Sequence, residues 1–151
     1  MPLATTASAR YTWDQRLALT LERRYTASAD DLWQAIMAGA WLDEPIRLEP
    51  VVGGEVSLGS LGTGRVHGLQ PRHLLVFTAG RNVYRWELTP SGETCLLVLT
   101  DLVCGVGELP TTAARLQLAL EALAAHLGDP SAELLELDEL VRQHTEALHV
   151  A

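Results

Sequence analysis

Two short polar pairs stand where the chain could do chemistry. Arg65 and His67 lie two residues apart and share one face of a predicted strand. Arg85 and Glu87 do the same on another strand, opposite Tyr84, Trp86 and Leu88. If the apolar face looks inward, Arg85 and Glu87 are solvent-facing partners. If it looks outward, a desolvated Arg85–Glu87 or His67–Glu87 pair would orient a ligand carboxylate or act as acid and base. The spacing leaves both orientations open.

Other chemistry lacks its residue pattern. The histidines His67, His73, His126, His144 and His149 are scattered over separate elements, and His144 and His149 do not share a helical face. There is no His-Glu-x-x-His and no clustered Cys-His spacing, so no metal site is expected. Gly62-Thr63-Gly64 lacks the Lys-Ser/Thr of a phosphate loop and reads as a hairpin turn. Gly-x-Ser-x-Gly is absent, and Ser57, Ser60 and Ser91 have no His-Asp partner pattern. No catalytic residue and no cofactor are assigned.

The elements that would position these groups follow from periodicity. Residues 1–15 read as a loosely held, flexible lead-in. Leu17, Leu19 and Leu21 alternate with Ala18, Thr20 and Glu22 in a half-buried strand. Ser28 offers an N-cap, with Asp31 as its acidic partner, to a helix carrying Leu32, Trp33, Ile36 and Met37. Gly39 breaks that helix, and a short turn or second helix holds Trp41 before Pro45. Short segments at 55–58, 65–70, 73–78, 82–89 and 94–102 are separated by Gly and Pro turns, which predicts an antiparallel meander. A helix over 112–127 ends at Gly128 as its C′ residue. Its stripe of Leu116, Leu120, Leu123 and Leu127 must cover the apolar face of the sheet. Asp129-Pro130 reads as the N-cap and first residue of a last helix, whose Leu134, Leu137, Val141 and Leu148 pack on the same domain or form a dimer contact.

The domain plan is thus a lead-in at 1–15, a core domain at 16–128 and an additional helix at 129–151. The 151 residues carry 11 Lys plus Arg against 19 Asp plus Glu, a formal net charge of −8 that disfavours nucleic acid as a partner. Arg23-Arg24 is the best basic pair, and adjacent strand residues point to opposite faces. No signal peptide and no membrane span are expected, and Cys95 and Cys104 read as reduced thiols, so a soluble cytoplasmic protein is the expectation.

Four stretches resemble a known superfamily. They are Ala29-Asp30-Asp31-Leu32-Trp33-Gln34-Ala35-Ile36 with Trp41-Leu42; Gly53-Gly54-Glu55-Val56; Gly64-Arg65-Val66 through Pro71-Arg72-His73-Leu74-Leu75-Val76-Phe77-Thr78; and Glu87-Leu88-Thr89-Pro90 with Glu93-Thr94-Cys95-Leu96-Leu97-Val98-Leu99-Thr100. In that order they are similar to the START-like (SRPBCC) superfamily, and to its bacterial proteins resembling the activator of the heat-shock-protein-90 ATPase. The resemblance spans about residues 16–127. It implies an α+β helix-grip fold: a curved antiparallel sheet of about six to seven strands wrapped around a long C-terminal helix. Two short helices follow the first strand, and an extra helix stands at the C-terminus. Where the family commonly has Gly-Trp before the long helix, this chain has Thr111-Thr112-Ala113-Ala114. Smaller residues there would widen a cavity mouth, unless other side chains refill it.

The resemblance implies a pocket but no reaction. The leading expectation is binding of a small hydrophobic or amphipathic molecule between sheet and helix. Trp86, Tyr84, Phe77, Leu97, Leu116, Leu120 and Leu123 would line the pocket, with His67 and Arg65 as polar candidates. For Trp33 and Trp41, core packing is the plainer reading. The alternatives are a polyketide cyclase or aromatase-like enzyme, which requires His67 or Arg65 well inside the pocket, and a co-chaperone-like interaction module, which requires a filled core and an exposed apolar patch.

Overall fold

Alternation of apolar and polar residues over most of the chain gives a sheet with one face to bury, and the structure buries it under helices. The computed structural model describes residues 5–103 and 106–149. Eight strands form one antiparallel sheet: β1 (Thr5–Tyr11), β2 (Leu17–Tyr25), β3 (Arg47–Leu48), β4 (Glu55–Ser57), β5 (Thr63–Gln70), β6 (Leu74–Ala79), β7 (Asn82–Ser91) and β8 (Thr94–Val103). Their order in space is β1-β2-β8-β7-β6-β5-β4-β3. Helix α1 (Ala29–Met37) follows β2, α2 (Leu109–His126) follows β8, and α3 (Leu137–Ala147) closes the described chain.

The register lines up rows of side chains across the inner face. One row runs Ala9, Leu19, Asp101, Tyr84, Phe77 and Val66. The next runs Ala7, Leu21, Leu99, Trp86 and Leu75, and a third runs Thr5, Arg23, Leu97 and Leu88. All but Ala7, which is partly buried, are buried, and most belong to one hydrophobic core shared with Leu32 and Ile36 of α1 and with Leu116, Leu120 and Leu123 of α2.

Helix starts and stops follow local chemistry. Ser28 Oγ accepts the Asp31 amide at 3.0 Å, the cap expected from the sequence. Gly39 ends α1 at φ 79°, and a Cβ there would meet the Ile46 side chain at 2.5 Å, so only glycine fits. The Trp41 segment is a turn rather than a second helix, tied down by the Trp41 indole donating to Ile36 O at 3.0 Å. Helix α2 begins at Leu109, three residues before the expected start, because Pro110 is tolerated in a first helical turn, where its missing N–H has no partner to lose.

Three expectations need correction. The lead-in contains an edge strand: Thr5–Tyr11 pairs with β2 along its whole length, which raises the sheet to eight strands. Asp129-Pro130 starts no helix. Asp129 instead accepts the Thr26 amide at 2.7 Å and both the amide and hydroxyl of Ser131, so its carboxylate caps a turn, and α3 begins at Leu137. The apolar stripe expected along the last helix is divided. Leu134 is fully exposed outside any helix, while Leu137, Val141 and Leu148 are half-buried on their own chain, where His144 Nε2 donates to Gln117 Oε1 of α2 at 2.7 Å. Cys95 is a buried free thiol; Cys104 lies outside the described residues.

One ion pair fixes α2 to the sheet. Arg23, 1% exposed on the inner face of β2, reaches Glu121 through Nε to Oε2 at 2.7 Å and Nη2 to Oε1 at 3.0 Å. Its remaining donors go to Arg24 O and to Ser131. Burial disfavours the guanidinium charge, yet the bonds to Glu121 hold the Arg23 pKa above its ordinary value. Tyr25 stacks under the same guanidinium and donates to Leu120 O at 2.7 Å. Removing one partner strands the other charge in the core. Glu121→Gln is therefore expected to cost about 3 kcal/mol in chemical denaturation, and the double change Arg23→Leu/Glu121→Leu less than either single one. A double variant as unstable as the sum of the singles would contradict this account.

Candidate ligand cavity

The clamp at Glu121 lies toward the C-terminal end of α2, and another flank of the helix, from Thr112 to Ala122, borders a half-open cavity of about 790 Å³. Thr112, Arg115, Leu116 and Ala119 of α2 form one wall. Tyr84 and Asn82 of β7 form the floor, and Ala40, Trp41 and Leu42 form the side. Leu61 closes the far edge from the 3-10 turn Gly59–Leu61, which Gly62 seats against the β6–β7 hairpin: at φ 103°, a Cβ there would meet Gly80 N at 2.8 Å. The rim carries three acids, Asp43, Glu44 and Glu108, against the single Arg115.

The floor is polar in a way the rest of the inner face is not. Asp101 stands directly across from Tyr84 on β8, fully buried, and its Oδ1 has no hydrogen-bond partner among the described residues. The Asn82 amide reaches both the Tyr84 hydroxyl and Asp101 Oδ2, each at 3.4 Å. Burial pushes the Asp101 pKa up to about 7, and burial together with the Asp101 charge pushes the Tyr84 phenol up to about 12. Tyr84 is therefore a neutral hydroxyl at physiological pH.

The expected site residues divide sharply. Tyr84 and Leu116 line the cavity. Trp86, Phe77, Leu97, Leu120 and Leu123 are fully buried in the core beside it: Trp86 packs at a tilt against Trp41 at 4.9 Å between centroids, and Phe77 against Tyr84 at 5.3 Å. Arg65 and His67 are exposed on the outer face. Arg65 lies near Glu55 and Gly53 O, and His67 Nε2 meets Thr78 Oγ1 at 3.3 Å. The reason is the parity of β5: Val66, between them, takes the inward position at 1% exposure. Arg85 and Glu87 likewise face solvent, paired at 2.7 Å. The acid–base role that required His67 or Arg65 inside the pocket has no support in this geometry.

Sequence reasoning missed Asp101 and Asn82; Trp41, for which core packing is the plainer reading, is both buried in the core and part of the cavity wall. A signal for Asp101 was present. Cys95, Leu97, Leu99 and Asp101 share one strand face, so an acid occupied a position whose neighbours all demanded burial. Among the described residues no group of His, Cys, Asp or Glu is arranged to hold a metal ion, and no helix is long and apolar enough to cross a membrane.

A sheet of this order, bent around α2, has close counterparts among solved structures. CalU16 from Micromonospora echinospora superposes with a TM-score of 0.77 at 16% identity, over 97% of this chain and 96% of that one. The fold is the helix-grip fold. A protein of unknown function from Enterococcus faecalis, EF2215, shares it with a TM-score of 0.74 at 16% identity, over 93% and 89% of the two chains. DynU16, a protein of the dynemicin biosynthetic locus, shares it with a TM-score of 0.61 at 21% identity, over 77% of this chain and 49% of that one. At these identities the likeness is one of helix-grip architecture. No family model matches the sequence, and no curated protein does.

The Asp101 geometry makes a stability prediction. Below about pH 4 the carboxyl is protonated in the folded and the unfolded chain alike. Between its ordinary value of 3.8 and about 7, the folded chain keeps a proton that the unfolded chain releases. Stability contributed at this site is therefore present at low pH and lost as pH rises through that window. Asp101→Asn should gain, relative to the parent, on the order of a few kcal/mol at pH 8 compared with pH 4, measured by urea denaturation at both. An equal difference at the two pH values would show that the carboxyl is not held neutral.

Proposed function

We propose that this protein binds a small, neutral, largely apolar molecule in the cavity bordered by α2, β7 and the Trp41 turn. The observation that carries this reading is the cavity itself, about 790 Å³ and half open to solvent, beside a core filled with side chains. Ligand sites of this size bury most of a drug-sized molecule and combine apolar walls with a few placed polar groups. Trp41, Leu42, Leu61, Leu116 and Ala119 supply the walls, and Asn82 and Tyr84 the polar floor. Affinity comes chiefly from removing apolar surface from water.

Charge narrows the ligand class. Three carboxylates stand at the rim against one guanidinium, on a chain of net charge −8. An anionic ligand would approach against that field, so a neutral or cationic one is favoured. The Thr111-Thr112-Ala113-Ala114 stretch supports the wider mouth: Thr112 borders the cavity while Ala113 and Ala114 are buried behind it. The association of DynU16 with a biosynthetic locus fits a protein that handles a small molecule, and it is a property of DynU16.

A neutral fluorescent naphthylamine, N-phenyl-naphthylamine, tests the reading. Its emission should rise on binding, and its sulfonated relative anilinonaphthalene sulfonate should bind several-fold more weakly. Thr112→Trp, which fills the mouth from a half-buried position, should weaken the neutral probe about tenfold or more, at least ~1.4 kcal/mol, while leaving the thermal midpoint within a few degrees. If the neutral probe does not bind the parent, or binds the Thr112→Trp variant equally well, the cavity is not a ligand site.

A further inference from the structure

On the reading that the cavity holds a small molecule, we infer that Tyr84 is its polar anchor, donating a hydrogen bond to a carbonyl oxygen of the ligand, with Asn82 as the residue that positions the hydroxyl. The inference starts from how the floor is wired. Asp101 is fully buried between Leu19 and Tyr84 in its row. The Asn82 amide nitrogen stands 3.4 Å from Asp101 Oδ2, so that oxygen accepts from it, and a proton on the carboxyl would sit on the unpartnered Oδ1. The same amide nitrogen then points at the Tyr84 oxygen. That oxygen is thereby engaged as an acceptor, and among the described residues the Tyr84 proton has no acceptor of its own. Tyr84 borders the cavity, so the unmatched O–H belongs to whatever enters it.

The chemistry of the complement follows. An O–H donor beside apolar walls is satisfied by a hydrogen-bond acceptor without charge, such as a ketone, ester, amide or quinone oxygen. A ligand hydroxyl could also accept from Tyr84. It would then need an acceptor for its own proton, a second contact that a carbonyl does not require. An anionic oxygen meets the acidic rim and the Asp101 carboxyl behind the phenol. A neutral carbonyl is the simplest complement to this single donor. The elevated phenol pKa agrees, because it keeps Tyr84 a donor rather than a base. Asp101 acts through Asn82 and touches no ligand.

Prodan, a neutral naphthalene bearing a ketone, reports on this directly, because its emission moves to longer wavelength when its carbonyl accepts a hydrogen bond. N-phenyl-naphthylamine, which has no carbonyl, is the control. In the parent protein both probes should bind, with prodan emission red-shifted relative to an apolar solvent. Tyr84→Phe should weaken prodan about five-fold more than it weakens the naphthylamine and move prodan emission to shorter wavelength. Asn82→Ala should produce a smaller shift in the same direction, since the hydroxyl remains but loses its orientation. The results separate the two readings. Failure of the naphthylamine to bind the parent overturns the cavity. Naphthylamine binding with prodan emission identical in parent and Tyr84→Phe overturns the anchor. Emission unmoved by Asn82→Ala, with the Tyr84→Phe shift present, removes the positioning role of Asn82.

Discussion

The bidentate contact between Arg23 and Glu121 is the constraint on which the rest of this architecture depends. Apolar packing is non-directional, and a stripe of leucines against a sheet would accept more than one helix register. A guanidinium fork closed on a carboxylate accepts one. Because both groups are desolvated, the alternative to this register is two unpaired buried charges, which is far more costly than a misplaced methyl group. The surrounding bonds reinforce the same point of attachment. Glu121 also accepts the Glu133 amide, Tyr25 holds Leu120 O, and Asp129 joins the end of β2 to the turn after α2.

The clamp and the cavity use different flanks of α2. Near Arg23 the helix is held close to β2, and the rows of Leu97, Leu99 and Trp86 fill the interval with side chains. The cavity flank carries Thr112, Leu116, Ala119 and Ala122, and the sheet presents Tyr84 and Asn82 to it. Arg23 and Asp101, both charged types on the inner face, thus meet opposite fates. Arg23 is matched by a helix carboxylate, and Asp101 by no cation within bonding distance among the described residues. The first gives the helix its register, and the second gives the cavity floor its polarity.

Much of this was legible in the residues. The order of strands, the Ser28 cap, Gly128 after α2 and the apolar stripe at Leu116, Leu120 and Leu123 are local signals, set by turn chemistry and periodicity, and they survive in the structure. Strand parity also told which residues travel together: Tyr84 with Trp86, and Arg65 with His67. Parity does not tell which set faces inward, and for β5 the small buried Val66 decided against the two polar residues that looked chemically interesting. The edge strand at Thr5–Tyr11 escaped notice because its residues are small and polar, and its pairing with β2 is not encoded in its own hydropathy. Trp41 became a wall because Gly39 and Ile46 set the path of the following turn, a tertiary matter that no helical periodicity reports.

The pairing of β2 with β8 brings together segments that lie near opposite ends of the domain's sequence. Loop-closure entropy makes such contacts late to form. During synthesis, β2 leaves the ribosome long before its central neighbour exists, with only β1 available to cover its edge. The hollow beside α2 consequently has no precursor in a shorter nascent chain: its helical wall and the clamp that holds that helix arrive after β8. A molecule held there is then more naturally captured by the finished domain than enclosed during its assembly.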